Sequence, residues 1–87
     1  MFSEEKVNFI LEIYNKGKIT KKTQKIFRGF GFYIMIWALR DDNIVKENGL
    51  TTDKEKIWVL TEKGLNLAKN MKKWIKLNKE IMEAVYA

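Results

Sequence analysis

Apolar residues recur at Val7, Ile10, Leu11 and Tyr14, a spacing of three and four that lays them along one side of a helix. Ser3 stands before this stripe as an N-cap, Glu4 and Glu5 occupy the first turn, and Gly17 supplies the stop, so a first helix is expected to run to about Lys16. Thr20 then offers an N-cap to a short second helix that ends near Arg28, with Ile26 and Phe27 facing inward. Past the tight turn Gly29-Phe30-Gly31, a third helix carries Phe32, Ile36 and Leu39 on one face with Met35 beside them.

After Arg40-Asp41-Asp42-Asn43 the period changes. Ile44-Val45-Lys46-Glu47 and Ile57-Trp58-Val59-Leu60 read as two strands, joined by a polar loop through Asn48-Gly49 and Asp53-Lys54, which makes a β-hairpin with a long tip. Thr61 caps a final helix with Glu62 in its first turn, and Gly64 is only a local weakness on the way to Tyr86. Leu67, Met71, Trp74, Asn78, Ile81 and Val85 are separated alternately by four and three residues, a heptad seam, with Lys69, Lys72, Lys73, Lys76 and Glu83 opposite. Through Met71 this helix can pack on the first one. Trp74 to Val85 extends beyond what so small a core can cover, so residues 62–85 are expected to dimerise through Met71, Trp74, Asn78, Ile81 and Val85. The alternative is a tail folded back on Phe2, Phe9 and Ile13 of the same chain.

The expected fold class is therefore mainly α with a small β-hairpin, α+β, in one domain spanning residues 1–87. A chain of 87 residues leaves no room for a second core, and 46% hydrophobic with 32% charged residues is a globular balance. The absence of cysteine excludes disulfides and thiolate metal sites, and the absence of histidine removes the commonest zinc ligand and general base. Asp41 and Asp42 with Glu47 or Asp53 do not form an oxygen-ligand loop, because neighbouring carboxylates on a helix diverge. Gly29-Phe30-Gly31 lacks the further glycine and lysine of a phosphate cradle. No enzyme, no cofactor, no metal and no small-molecule effector is expected. The acidic start, Met1-Phe2-Ser3-Glu4-Glu5, is wrong for a signal peptide, and the apolar run from Phe30 to Leu39 is far short of a bilayer span, so a cytoplasmic protein without a membrane partner is expected.

The formal charge of +6 points to a polyanionic partner, and its distribution sharpens that reading. Lys16, Lys18, Lys21, Lys22, Lys25 and Arg28 cluster with no acid among them, whereas acids outnumber bases between Arg40 and Glu55. Asp53 and Glu55 partly cancel Lys54 and Lys56.

Helix, short helix, turn, helix, hairpin and closing helix is the order of winged helix-turn-helix domains. Two segments carry the resemblance. Leu39-Arg40-Asp41-Asp42-Asn43-Ile44-Val45 resembles the third-helix exit of that superfamily, with Asn43 where a glycine is usual. Trp58-Val59-Leu60-Thr61-Glu62-Lys63-Gly64 is similar to the second wing strand and helix start of MarR-like and small archaeal winged-helix DNA-binding proteins. The resemblance implies that the second helix lies across the phosphate backbone, the third enters the major groove, and the wing reaches flanking phosphates or the minor groove. Carried over, Lys18, Thr20, Lys21, Lys22, Lys25 and Arg28 would contact phosphates, as would Lys54 and Lys56 on the wing, and Tyr33, Trp37 and Arg40 would be the hydrogen-bonding groups of the third helix.

That third helix is short of base-reading side chains. With Phe32, Ile36 and Leu39 inward, the outward set is Tyr33, Ile34, Trp37 and Ala38, so binding through phosphates and shape is favoured over sequence readout. The expected function is double-stranded DNA binding, of regulator or architectural type, as a homodimer. The alternative is a protein-interaction module that uses the apolar face of the third helix. Duplex RNA stays open as a ligand.

Overall fold

The computed structural model describes residues 3–86. Its elements, in chain order, are α1 (Glu4–Lys16), α2 (Phe30–Asp41), β1 (Val45–Leu50), β2 (Lys56–Leu60) and α3 (Glu62–Tyr86). The order of helices and hairpin matches the expectation except between α1 and α2, where the short second helix is replaced by turns.

The capping signals of α1 act as read. Ser3 accepts a hydrogen bond from the Lys6 backbone N–H at 3.2 Å, and Gly17, at φ 84°, donates its N–H to the Ile13 carbonyl. The apolar stripe is rotated from its expected centre, because Phe9, Ile10 and Ile13 are fully buried while Val7, Leu11 and Tyr14 are only half-buried. The reason is a helix covered from two directions. Phe9 meets Phe27 and Phe32 edge-on, with centroids at 5.2 and 6.1 Å, whereas the Tyr14 side lies under α3, where Lys72 sits over its ring.

Between Thr20 and Arg28 one helical backbone bond forms, from Gln24 N–H to the Thr20 carbonyl, and it does not propagate. Thr20 and Thr23 exchange backbone N–H and hydroxyl in both directions, at 2.9 and 3.2 Å. Gln24 then stitches the turn on either side of it. Its carbonyl oxygen accepts from the N–H groups of Ile26 and Phe27, and its amide donates to the carbonyls of Lys21 and Phe27. Side chains of this kind offer the backbone an alternative to the helix ladder, and one turn cannot meet the nucleation cost of a helix. Phe27 reaches the core as expected, but Ile26 is exposed.

The hairpin is longer than the alternation implied. β1 continues through Asn48 and Gly49 to Leu50, antiparallel to β2, with Val45 opposite Leu60 and a register irregularity between Glu47 and Leu50. Gly49, at φ 88°, supplies the left-handed backbone that such a bulge requires. An unanticipated third segment joins the sheet, since Ile19 exchanges two backbone hydrogen bonds with Trp58, both at 2.9 Å.

One buried cluster unites these parts: Phe9, Ile10 and Ile13, then Ile19, then Phe32, Ile36 and Leu39, then Ile44 and Val45, Trp58 and Leu60, and Ala68 of α3. Leu67 and Met71 pack against it, and beyond Met71 the helix leaves the core. Trp74, Ile75, Leu77, Ile81, Met82 and Val85 are all exposed, so the tail does not fold back over Phe9 and Ile13; Phe2 lies outside the described residues. The protruding helix accounts for a shape of 50 × 25 × 23 Å. Among the described residues no helix is long and apolar enough to cross a membrane.

The junction of α2, the hairpin and α3 is the tightest point. The Thr61 hydroxyl donates toward the carbonyls of Asn43 and Ile44 and accepts from the Gly64 N–H at 3.1 Å, while the Thr61 N–H donates to the Ile44 carbonyl at 2.9 Å. A Cβ on Gly64 would overlap the Ile44 carbonyl oxygen and stand 3.1 Å from its carbon, so this glycine is required by close approach and is no mere weak point in a helix. Backbone cannot yield there as a flexible side chain would. Gly64→Ala is expected to cost about 2–3 kcal/mol or more, by analogy with overpacked cores. In a chain of this length that is a fall in Tm of roughly 10 °C or more, read by thermal unfolding. A Gly64→Ala protein that melts within about 2 °C of the wild type would refute the close-packed junction.

Candidate nucleic-acid interface

Lys21 and Lys22 of the turn segment, Tyr33 and Trp37 of α2 and the hairpin tip bound one concave surface. A groove of about 670 Å³ lies between them, with Lys21 and Lys22 on one wall, Tyr33 and Trp37 of α2 along the floor, and Asp53, Lys54, Glu55 and Lys56 on the other wall. The sequence placed these residues in three separate elements. Trp58 joins them at the base of the groove, where the Ile19 bridge fixes β2 against the turn segment.

The basic residues of the turn segment are not equivalent. Lys18, Lys25 and Arg28 are exposed, and among the described residues no carboxylate lies within 4.0 Å of their charged groups. Lys21 is half-buried with its Nζ 5.0 Å from the centre of the Tyr33 ring, a cation–π contact that aims the ammonium along the groove. Lys22 is held toward the wing, its Nζ 3.6 Å from Asp53 and 4.0 Å from Glu55, and its backbone N–H donates to Glu55 at 3.0 Å. Thr20 is buried, and its hydroxyl is taken up by Thr23.

On the wing, Lys54 occupies a left-handed backbone position, φ 64°, at the tip. The tip is closed by Thr51, whose N–H donates to the Glu55 carbonyl at 2.8 Å and whose carbonyl accepts from Lys54. Lys56 is paired with Glu47 on the facing strand at 3.0 Å. The carboxylates expected to offset Lys54 and Lys56 are thus distributed differently: Asp53 and Glu55 restrain Lys22, and Glu47 restrains Lys56. All these pairs are solvent-exposed on at least one side, so each contributes little to stability and yields readily to a competing anion.

Along α2, Phe32, Ile36 and Leu39 are buried as read from the sequence, and Phe30, Ile34 and Trp37 are exposed in one stripe. Tyr33 is half-buried, its ring 5.6 Å from that of Trp37 and 5.4 Å from that of Phe32. Arg40 lies at the far end of the helix with its guanidinium on Asp41 at 3.3 Å. Asn43, at φ 61°, adopts the left-handed conformation that its place in the helix exit calls for.

The proposed dimer residues stand apart from this surface. Met71 is half-buried against the core, Asn78 is half-buried, and Trp74, Ile81 and Val85 are exposed on the protruding part of α3. Ile75, Leu77 and Met82 widen the stripe beyond the strict heptad, which a two-position repeat leaves out. Among the described residues no group of carboxylates is arranged to hold a metal ion.

No protein-family model matches the chain, and no curated protein matches it in sequence. Solved structures do match in shape. MepR, a transcription regulator of the Staphylococcus aureus multidrug efflux pump MepA, superposes with a TM-score of 0.82 at 11% identity over 99% of this chain. An apo-form mutant of ZitR from Lactococcus lactis gives 0.78 at 16% identity over 95%. The SSV1 protein F-93 gives 0.63 at 24% identity over 92%. The chain spans 65% of ZitR and 67% of MepR, but 94% of F-93. All three are winged helix-turn-helix structures, and that is the fold of this chain, with the β1–β2 hairpin as the wing.

The shape of the groove wall depends on Gln24, which is 6% exposed and saturates four backbone groups. Truncating it leaves part-buried N–H and C=O groups without their partner, at about 1–3 kcal/mol. Gln24→Ala is expected to lower stability by about 2 kcal/mol in denaturant unfolding, against less than about 0.5 kcal/mol for the exposed neighbour Lys25→Ala. Equal effects at the two positions would contradict the stitching role.

Proposed function

We propose that this chain is a cytoplasmic double-stranded DNA-binding protein, of regulator or architectural type and without enzymatic activity, that acts as a homodimer. The observation that carries the reading is the charge lining of the winged-helix groove. Lys21 and Lys22 line one wall and Lys54 and Lys56 the other, with Asp53 and Glu55 beside them, and exposed Lys18, Lys25 and Arg28 lie outside the groove on the same turn segment. Such an arrangement suits phosphates on either side of a groove into which α2 is laid. MepR, similar in fold, is a transcription regulator, and this supports the regulator form of the reading.

Two of the proposed phosphate ligands are engaged before any ligand arrives. Lys22 must exchange Asp53 and Glu55 for phosphate, and Lys56 must exchange Glu47. Thr20 serves the turn, so its contribution is to place Lys21 and Lys22. The direct test is fluorescence anisotropy of a labelled mixed-sequence duplex of about 30 base pairs over a range of salt. The slope of log K against log salt is expected near −0.9 for each phosphate neutralised, and Lys25→Ala with Arg28→Ala should make it shallower by roughly 1.8. Lys21→Glu with Lys22→Glu should abolish binding. A wild-type protein indifferent to duplex DNA at low salt would sink the reading and favour a protein-interaction module on the exposed α2 stripe, whose partner capture Trp37→Ala would then destroy.

The homodimer rests on α3. Trp74, Ile81 and Val85 are 65%, 51% and 68% exposed, a contiguous apolar seam on a helix that has left its own core. A second copy covers it by the same pattern, with Asn78 fixing the register. In sedimentation equilibrium the wild type is expected at twice the chain mass, and Trp74→Glu with Ile81→Glu at the chain mass. The monomeric variant should lose about a hundredfold in duplex affinity, because the second domain no longer binds at high effective concentration. A wild-type monomer at tens of micromolar would remove the dimer from the proposal.

A further inference from the structure

We propose that the exposed stripe of α2 reads the methyl groups of thymine, so that the preferred ligand is A·T-containing B-form DNA. The inference rests on the duplex-DNA reading above and names what that surface recognises.

Phe30, Ile34 and Trp37 fall at i, i+4 and i+7 on the outer face of α2 and are 78%, 66% and 44% exposed, with Ala38 beside them. From Phe30 to Leu39 the helix contains no Arg, Lys, Asn or Gln. The bidentate contacts by which Arg or Lys selects guanine and Asn or Gln selects adenine are therefore missing along its length. Arg40 comes only at the exit and is occupied by Asp41. Among the groups that base pairs present in the major groove, the thymine C5-methyl is the apolar one, and it is met by apolar side chains. An exposed Phe-Ile-Trp-Ala stripe is complementary to methyl groups and to little else in that groove.

Charge identifies DNA as the occupant in preference to an apolar protein surface. The stripe begins where the Gly31 N–H bonds the Arg28 carbonyl, so it starts directly after the cationic turn segment. At its other end Trp37 lies on the groove floor, between the wall that carries Lys21 and Lys22 and the wall that carries Lys54 and Lys56. An apolar stripe that follows a cationic segment and faces Lys54 across the groove fits a duplex, which places methyls inside and phosphates outside. From Phe30 to Trp37 the helix rises about 10 Å, the rise of roughly three base pairs, so two or three methyls lie within reach. Duplex RNA offers neither the methyl nor a groove wide enough to admit the helix.

The test compares two A·T-rich 30-base-pair duplexes of the same sequence, one with thymidine and one with deoxyuridine throughout. The substitution removes the methyl and keeps base pairing and backbone charge. Burial of one methyl corresponds to about fourfold in affinity, so with two or three methyls the thymidine duplex is expected to bind about 15- to 60-fold more tightly. Phe30→Ala with Ile34→Ala should bring that ratio close to one; both side chains stand outside the core, and far-ultraviolet circular dichroism confirms folding of the variant. Equal, salt-dependent binding of both duplexes by the wild type would overturn the inference and leave the DNA-binding reading intact. A preference that survives the two truncations would also overturn it, since the methyls would then act through DNA shape. Binding of neither duplex would overturn the underlying reading and this inference with it.

Discussion

The structure depends on a few atoms around the Ile44 carbonyl. That oxygen accepts the Thr61 N–H, the Thr61 hydroxyl lies 3.2 Å from it, and Gly64 passes so close that no side chain fits between. One residue earlier, Asn43 turns left-handed to end α2, and the Ile44 N–H returns to the Leu39 carbonyl at 2.8 Å. A single short stretch thereby ends one helix, begins the first strand and receives the start of the last helix. Since Val45 pairs with Leu60, the hairpin is pinned at its root by the same atoms. The angles that α2, the wing and α3 make with one another are consequences of this junction, and with them the shape of the groove and the direction of the protruding helix.

A second constraint works from the other side of the groove. The Ile19–Trp58 bridge attaches the segment after α1 to β2, so the turns that replace a second helix are held at the sheet and at Gln24 and need no helical ladder. The cationic wall is consequently rigid where its backbone is stitched and adjustable only in the lysine side chains. Lys22 crosses to Asp53 and Glu55, which ties this wall to the wing tip by exposed pairs. Such pairs are weak in water and exchange for phosphate at little cost. The scaffold is thus fixed by buried hydrogen bonds, and the adjustable part is electrostatic.

Much of this is legible in the sequence because the signals are local or periodic. Ser3, Gly17, Thr61 and the inward set Phe32, Ile36 and Leu39 behave as their spacing predicts, since a cap or a helical face is decided within a few residues. The departures share a cause. Thr20 reads as a cap, and it is part of a cap-like exchange, but the helix behind it loses to side-chain bonds from Thr23 and Gln24 that no periodicity reveals. The Ile19 bridge joins residues far apart in sequence and leaves no pattern in either. Gly64 reads as a defect because its reason lies across the junction, at Ile44. In the groove, the composition shows that acids and bases nearly balance on the wing, while only the fold shows that Glu47 takes Lys56 and the tip acids take Lys22.

The two exposed apolar stripes differ in a way that bears on what each meets. The stripe on α2 is short, ends at Arg40, and sits on a helix anchored at both ends: Gly31 bonds back to Arg28, and Asp42 and Ile44 bond back to Ala38 and Leu39. Its Trp37 is braced on Tyr33 and Tyr33 on Phe32, so that end of the surface enters an interface partly ordered. The stripe on α3 runs from Trp74 to Val85, has no core behind it, and is wide enough, with Ile75, Leu77 and Met82, to be covered by another helix. An unsupported helix of that length gains its stability from what packs against it. A rigid, cation-bordered stripe suits a rigid polyanion, and an unsupported heptad seam suits its own copy. In the proposed homodimer the seam on the protruding part of α3 would join two copies and leave the groove of each open.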